Sequence, residues 1–261
     1  MNNMNTVVPL IQGELPAGPS YMDISDFIVE NPFYDLTILN GLIGAYFLSS
    51  QMKNPLNNHA NLSKPLKRVG NPVIGSKYTS FSDGNQFDTQ IPVGSSAASN
   101  AAVTIIAVAK NPSTTVDAYP VGNYLGGSGS ISTDNILLRK DNNIESYTSD
   151  GSGLASVVTS TTNGGSAGQL LVVAGQFGPT SITGSCYQPG TDNLLQNTRA
   201  ISSRKANPTT NYRIGGRPGM TGNGTPNVSA VLIYEGRLSD SDLLTVCRYF
   251  RTTFGTRYSL W

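Results

Sequence analysis

Val228-Ser-Ala-Val-Leu-Ile-Tyr234-Glu-Gly-Arg-Leu-Ser-Asp240, running on into Leu243–Gly255, decides how this chain folds. Val228–Tyr234 is a short run of β-branched and aromatic residues closed by Glu235-Gly236, the pattern of a strand and its turn. Ser239 then opens the one long helix expected in the chain. It stands as N-cap with Asp242 three residues on, and Asp240 and Asp242 lie where the helix dipole favours negative charge. Leu243, Val246 or Cys247, Phe250 and Phe254 recur at helical spacing, Arg248 and Arg251 fall toward the C-terminal half, and Gly255 reads as the stop. One apolar stripe means a helix laid on a sheet, with Cys247 on or beside the buried face.

Upstream, short runs of β-branched and aromatic residues bounded by Gly, Asn, Pro and Ser recur back to Leu42. The expected strands are Leu42–Phe47, Tyr78–Phe81, Val103–Ala109, Ile136–Arg139, Leu170–Phe177, Ile182–Tyr187, Tyr212–Ile214 and Val228–Tyr234. Their spacing, often longer than a tight hairpin needs, suits two packed sheets with long loops. Gly126–Ser130 and the Ser/Thr/Gly-rich stretch 149–168 read as loops of that single sandwich, because neither side of them holds enough strands to close two sheets. Residues 1–40 differ. Pro9, Pro16, Pro19 and Pro32 interrupt short apolar groups, which predicts an extended arm with one helical turn after Asp23, followed by a domain over 41–261.

Of the 261 residues, 38% are hydrophobic, enough for a real core, but only 13% are charged. Surface polarity therefore comes from Ser, Thr and Asn, about 30% of the chain. Lys+Arg 17 against Asp+Glu 16 gives a net charge of +1, so no basic field exists to hold nucleic acid or an anionic membrane. The opening Met1-Asn-Asn-Met-Asn-Thr6 lacks the regions of a signal peptide, and no apolar run approaches a membrane span, which predicts an unexported, soluble chain. Cys186 and Cys247 carry neither a zinc spacing nor a disulfide framework and read as buried thiols.

No catalytic residue emerges. Glu14, Glu30, Glu145 and Glu235 are the four glutamates, with none of the paired spacing that sugar hydrolysis requires. Asp83 and Asp88 flank a turn, where Asp side chains bond neighbouring amides. His59 is the one histidine and has no nucleophile elbow beside it, so it reads as a loop residue. No cofactor is expected. Calcium is the one metal considered, through the oxygen-rich Asp134, Asn135, Asp141, Asn142 and Asn143. Tyr119, Tyr124, Tyr147 and Tyr187 are candidates for stacking on sugar rings beside amide and carboxylate acceptors. The candidate ligand set is thus Tyr124, Asp134, Asn135, Tyr147 and Tyr187. Trp261, the last residue, reads as packed against the domain or a neighbouring molecule.

The ordered set Asn211-Tyr-Arg-Ile-Gly-Gly216, Val228–Asp240 and the Leu243–Gly255 helix resembles the concanavalin A-like lectin/glucanase sandwiches of the laminin-G-like type. Gly41-Leu-Ile-Gly-Ala-Tyr-Phe47 is similar to their opening strand and Asn57-Asn-His-Ala60 to the turn that follows. Tyr78–Gly84, Val103–Ala109 and Leu170–Gly178 are similar to later strands. The chain departs from the pattern at Ser229-Ala230, where a Glu is usual, at Tyr46, where a Trp is usual, and in lacking the paired cysteines of secreted members. No family calcium or glycan site is therefore carried over. The resemblance implies an all-β, two-sheet antiparallel jelly-roll sandwich with one C-terminal helix and an extended N-terminal arm.

Such a sandwich hosts sugar binding, hydrolysis and plain structural roles alike. The favoured expectation is a structural or adhesion protein of a tailed-bacteriophage virion: a tail fibre, tail or head-decoration component. It would dock on other virion proteins through the arm, form a homo-oligomer and display a lectin-like sandwich toward host-surface glycan. The alternatives are a carbohydrate-binding module of a bacterial surface protein and a glycoside hydrolase.

Overall fold

The computed structural model describes residues 33, 35–92, 101–124, 134–150, 153–161, 168–205, 210–219 and 221–261. The expected helical turn after Asp23 and the loop Gly126–Ser130 lie outside them. In chain order the strands are β1 Leu42–Phe47, β2 Lys67–Val69, β3 Val73–Ile74, β4 Thr79–Ser80, β5 Gln86–Pro92, β6 Val103–Lys110, β7 Ala118–Gly122 and β8 Asn135–Leu138. They continue as β9 Asn143–Asp150, β10 Gly153–Ser160, β11 Leu171–Phe177, β12 Ser181–Gln188, β13 Asn193–Ala200, β14 Asn211–Ile214 and β15 Asn227–Glu235. All pair antiparallel. One sheet runs β13-β12-β11-β6-β15-β4-β3 with β1 also on β15, and the other runs β10-β9-β8-β7-β14-β5-β2.

The apolar runs that made β6, β11 and β15 legible are central strands of the eight-stranded sheet, buried on both faces. In β6, Ile105, Ala107 and Ala109 face the other sheet, while Ile106 and Val108 face the C-terminal helix. Ile105, Ile106 and Val108, removed from water, contribute about 1.5–3 kcal/mol each. A bulge between Val228 and Ala230 changes the parity of β15. Val228, Val231 and Ile233 consequently all point between the sheets, and Ala230, Leu232 and Tyr234 point to the helix.

The structure shows the expected two-sheet antiparallel sandwich with its C-terminal helix. Ser239 caps that helix as read: its hydroxyl accepts the Asp242 N–H at 3.1 Å and donates to the Asp242 carboxylate at 2.8 Å. The helix is not one regular stretch, however. α1 Asp240–Arg248 passes into a π-helical turn over Tyr249–Phe254 and then α2 Gly255–Arg257. The wider turn brings Tyr249, Phe250 and Phe254 onto the sheet side together, with Phe254 at 4.9 Å from the Phe47 ring and 4.7 Å from Tyr258.

Gly255 is not the stop. Its φ of −63° is helical, and it is glycine because a Cβ there would stand 1.8 Å from the Trp261 indole nitrogen. The left-handed residue that ends the segment is Ser259, at φ 50°.

The stretch 149–168 is also not a loop throughout, since β9 ends at Asp150 and β10 spans Gly153–Ser160. Ala155, Val157 and Thr159 face inward, and Leu154, Ser156 and Val158 face out. Serine and threonine in both sets hid that alternation. Before β1, Leu36 is buried and the Tyr234 hydroxyl donates to the Ile38 carbonyl at 2.9 Å, so the chain over 35–40 packs with the sandwich. The compact unit runs Pro32–Trp261. His59 lies edge-on to Phe47 at 5.5 Å and Phe33 at 6.3 Å. Its neighbour Asn58, wholly buried, accepts the N–H groups of Ala45, Ala60 and Asn61 and holds the turn to β1.

Candidate functional site

The eight-stranded sheet spends both faces on burial, one on its partner sheet and one on the helix. Among the described residues no helix lies on the outer face of the seven-stranded sheet. Strand alternation turns every second side chain toward that face, where Tyr119 and Tyr124 are half-buried while Tyr147, Arg217 and Asn135 are buried. Ile144 of β9 points inward, so Glu145, Tyr147 and Ser149 point out. Tyr147 is paired in register with Asn135 of β8 on one side and Ser156 of β10 on the other.

Around Tyr147 the chain gathers two further tyrosines and a cation. Tyr119 of β7 meets its ring edge-on at 6.3 Å, and Tyr124, two residues past β7, does so at 6.1 Å. The Arg217 guanidinium lies 3.8 Å from the Tyr119 centroid and 5.6 Å from that of Tyr124. The Asn135 carboxamide accepts the Tyr124 N–H at 3.4 Å.

Arg217 is aimed by the turn that follows β14. There Gly215 takes φ +83°, and the Phe81 ring fills the space a Cβ would need. The guanidinium then donates to the Asn223 carboxamide at 2.9 Å, and the Asn223 N–H donates to Asp83 at 3.2 Å. The N–H groups of Gly222 and Asn223 hold the Asp83 carboxyl below the usual carboxylate range. Burial, with Tyr119 beside it, pushes the Tyr147 phenol well above its ordinary value. Its hydroxyl therefore stays protonated at any physiological pH.

The half-buried Tyr119 and Tyr124 rings offer a surface on which the C–H face of a sugar can stack, and the buried Tyr147, Asn135 and Arg217 pack against them. Of the candidates, Tyr124, Asn135 and Tyr147 come together here with Tyr119. Arg217 escaped the reading. It sits in Gly215-Gly-Arg-Pro-Gly219, where a lone cation among turn residues was the available signal.

The other candidates are elsewhere. Asp134 faces inward beneath Asn135 and is fully buried. Its carboxylate takes Arg204 Nε at 2.9 Å, the second Arg204 nitrogen, the Thr148 hydroxyl at 3.0 Å and the Tyr212 hydroxyl at 2.6 Å. Those four donors occupy it, so it is an interior ion-pair partner and not a surface ligand. Tyr187 lies on the opposite sheet, its hydroxyl donating to Asp192 at 2.7 Å. Nor do the five oxygen-bearing residues considered for calcium converge. Asp134 and Asn135 start β8, whereas Asp141–Asn143 form the turn beyond it, where Asp141 pairs with Arg139 at 3.1 Å and Asn142 is left-handed. Among the described residues no three His, Cys, Asp or Glu side chains form a ligand set.

Asp88, on the same outer face, accepts the Gln90 N–H at 2.8 Å and pairs with Arg213 at 3.0 Å, and Glu145 pairs with Arg139 at 3.0 Å. Cys186 and Cys247 are buried free thiols; burial pushes Cys186 up to about 12 and Cys247 further.

Among solved structures, the chain is similar to the binding domain of Paraclostridial Mosquitocidal Protein 1, at 12% identity and TM-score 0.58, over 81% of this chain and 53% of that one. It is also similar to the botulinum neurotoxin serotype D ligand binding domain in complex with N-acetylneuraminic acid, at 14% identity and TM-score 0.56, over 82% and 52%. A Trypanosoma rangeli sialidase mutant displaying trans-sialidase activity shares 16% identity and TM-score 0.54, over 81% and 33%. This chain thus spans about half the length of the toxin domains and a third of the sialidase. At these identities the shared property is the fold, a lectin-like β-sandwich. No protein-family model matches the sequence, and no curated protein does.

Proposed function

We propose that this chain is a glycan-binding sandwich, with Tyr119 and Tyr124 as the binding surface and the buried Tyr147, Asn135 and Arg217 holding it in shape. The observation that carries the reading is the convergence of three tyrosines on one anchored arginine. The serotype D domain of the same fold, solved with N-acetylneuraminic acid, is consistent with it. The role proposed is binding without catalysis. Asp88 and Glu145, the carboxylates of this face closest to hand, are each engaged by an arginine and not poised as an acid and base pair.

The setting proposed is a tailed-bacteriophage virion, as a tail-fibre, tail or head-decoration component, in homo-oligomeric form, with residues 1–40 docking on other virion proteins. Low charge and a surface of Ser, Thr, Asn and Gly support it.

The test is a glycan array and a whole-cell binding assay on the full chain, with and without calcium, beside Tyr124→Ala and Arg217→Ala. Saturable binding that both variants weaken about tenfold or more supports the reading, since one loses a stacking ring and the other the cation on which Tyr119 and Tyr124 rest. Silence of the folded wild type on array and cells removes the glycan function. Loss of particle incorporation on deleting residues 1–31, which leaves the compact unit Pro32–Trp261 whole, tests the virion role separately.

A further inference from the structure

A second cavity, of ≈ 640 Å³, opens against the C-terminal helical segment. No residue of the seven-stranded sheet lines it. Its walls come from the chain before β4, the end of β6, the approach to β11 and the last residues of the chain. Three cations, Lys77, Lys110 and Arg251, face two rings, Tyr78 and Trp261, and no Asp or Glu side chain is among the lining residues.

The arrangement is held in place without using up the charges. The Lys110 ammonium lies 4.6 Å from the Tyr78 centroid, and the Arg251 guanidinium lies 4.2 Å from the Trp261 ring. Cation–π contact of this kind orients a cation and leaves its N–H groups open to an anion. None of the three forms a salt bridge with a described residue. The indole N–H donates to the Arg251 carbonyl at 2.9 Å, an approach that the missing side chain of Gly255 permits. Across the cavity, Gln51 donates to the Ser76 carbonyl at 2.9 Å and the Tyr258 carbonyl at 3.4 Å, tying the Lys77 loop to the helical segment.

We infer that this cavity binds an acidic sugar, a pyranose bearing a carboxylate. The planar guanidinium fork matches the two oxygens of a carboxylate, and the lysines add charge beside it. The rings and Leu260 supply the apolar surface that a sugar's C–H face needs and that a bare inorganic anion does not. The volume suits one or two sugar rings. The overall charge of +1 gives no field for a polyanion, so the occupant is small. This inference does not depend on the open-face site, which uses different strands and neutral hydrogen-bonding groups around a single cation.

Trp261 is the only tryptophan in the chain, so intrinsic indole fluorescence reports this cavity alone. The full-length protein is titrated with N-acetylneuraminic acid, glucuronic acid, the methyl ester of each, and inorganic phosphate. The expected result is a saturable change with at least one free acid, weakened by salt and absent with its ester. Lys110→Gln and Arg251→Gln should each weaken it about tenfold, while Tyr124→Ala leaves it unchanged. Because Arg251 touches the indole, saturation-transfer NMR on the sugar's own protons repeats the measurement without that reporter. Far-UV circular dichroism and the melting temperature verify that the variants fold. Silence with both acids, an ester that binds as well as its acid, phosphate that binds as tightly as the sugar, or affinity unchanged in both Gln variants overturns the inference.

Discussion

At the scale of single residues, polar groups of the same type do opposite jobs according to which way a strand turns them. Asp134 and Asn135 are neighbours at the start of β8 and both are buried, yet one carries an ion pair between the sheets and the other turns to the opposite side beside Tyr147. Burial disfavours the Arg204 cation, but Asp134 and Tyr212 reverse this and raise its pKa above the ordinary value. Asp134→Ala should therefore cost about 3–5 kcal/mol, because it strands a fully buried guanidinium. Urea unfolding measures this, and a loss below 1 kcal/mol would show that the pair does not carry the load assigned to it. Asp83 acts at a distance. Its carboxyl is held below the usual range by the Gly222 and Asn223 N–H groups, so its grip on that loop is complete above the ordinary carboxylate pKa. The grip is lost as pH falls through the lowered value, and with it the Asn223 that anchors Arg217. Glycan binding should fade on the acid side, with a shallower fall in Asp83→Asn, when measured from pH 7 down to 3.

At the scale of elements, legibility followed burial. β6, β11 and β15 were plain in the sequence because strands buried on both faces are written as continuous β-branched and aromatic runs. β13 was not. It is an edge strand, mostly exposed, and Asn193-Leu-Leu-Gln-Asn-Thr-Arg-Ala200 follows from that position, since only β12 pairs with it. β5 and β7 were missed for a related reason, their outward residues including Gln86, Asp88 and Tyr119, and β9 and β10 because Ser and Thr stand on both of their faces. The start of the helix was legible because a cap is local chemistry. Ser239→Ala should cost about 1 kcal/mol in thermal unfolding, with the loss concentrated in α1. Its end was not legible. The π-helical turn and the glycine at 255 answer to Phe47 and Trp261, which the local sequence does not contain.

At the scale of the whole molecule, the sandwich has two unlike outer faces, and this decides where function can lie. The eight-stranded sheet gives its outer face to Leu243, Val246, Phe250 and Phe254, leaving the side of the seven-stranded sheet to present Tyr119 and Tyr124. The thiols report on this arrangement. Cys186 lies between the sheets and Cys247 beneath the helix, both buried and both pushed above the usual thiol range. Neither should react with a disulfide reagent in the native protein. Both should react at the rate of unfolding in denaturant, and modification without unfolding would mean that the helix lifts from the sheet.

The sequence by itself determined the class of the fold, the central strands and the cap of the helix. These follow from periodicity and local hydrogen bonding, both of which are carried by residues close together in the chain. Only the tertiary structure decided that Arg217 joins Tyr119 and Tyr124, that Asp134 turns inward to Arg204, and that Lys77, Lys110 and Arg251 surround one cavity with Trp261. Each of these groups is assembled from residues tens to more than a hundred positions apart. Strand order, register and a single bulge bring them together, and none of those is written in the spacing of any one segment.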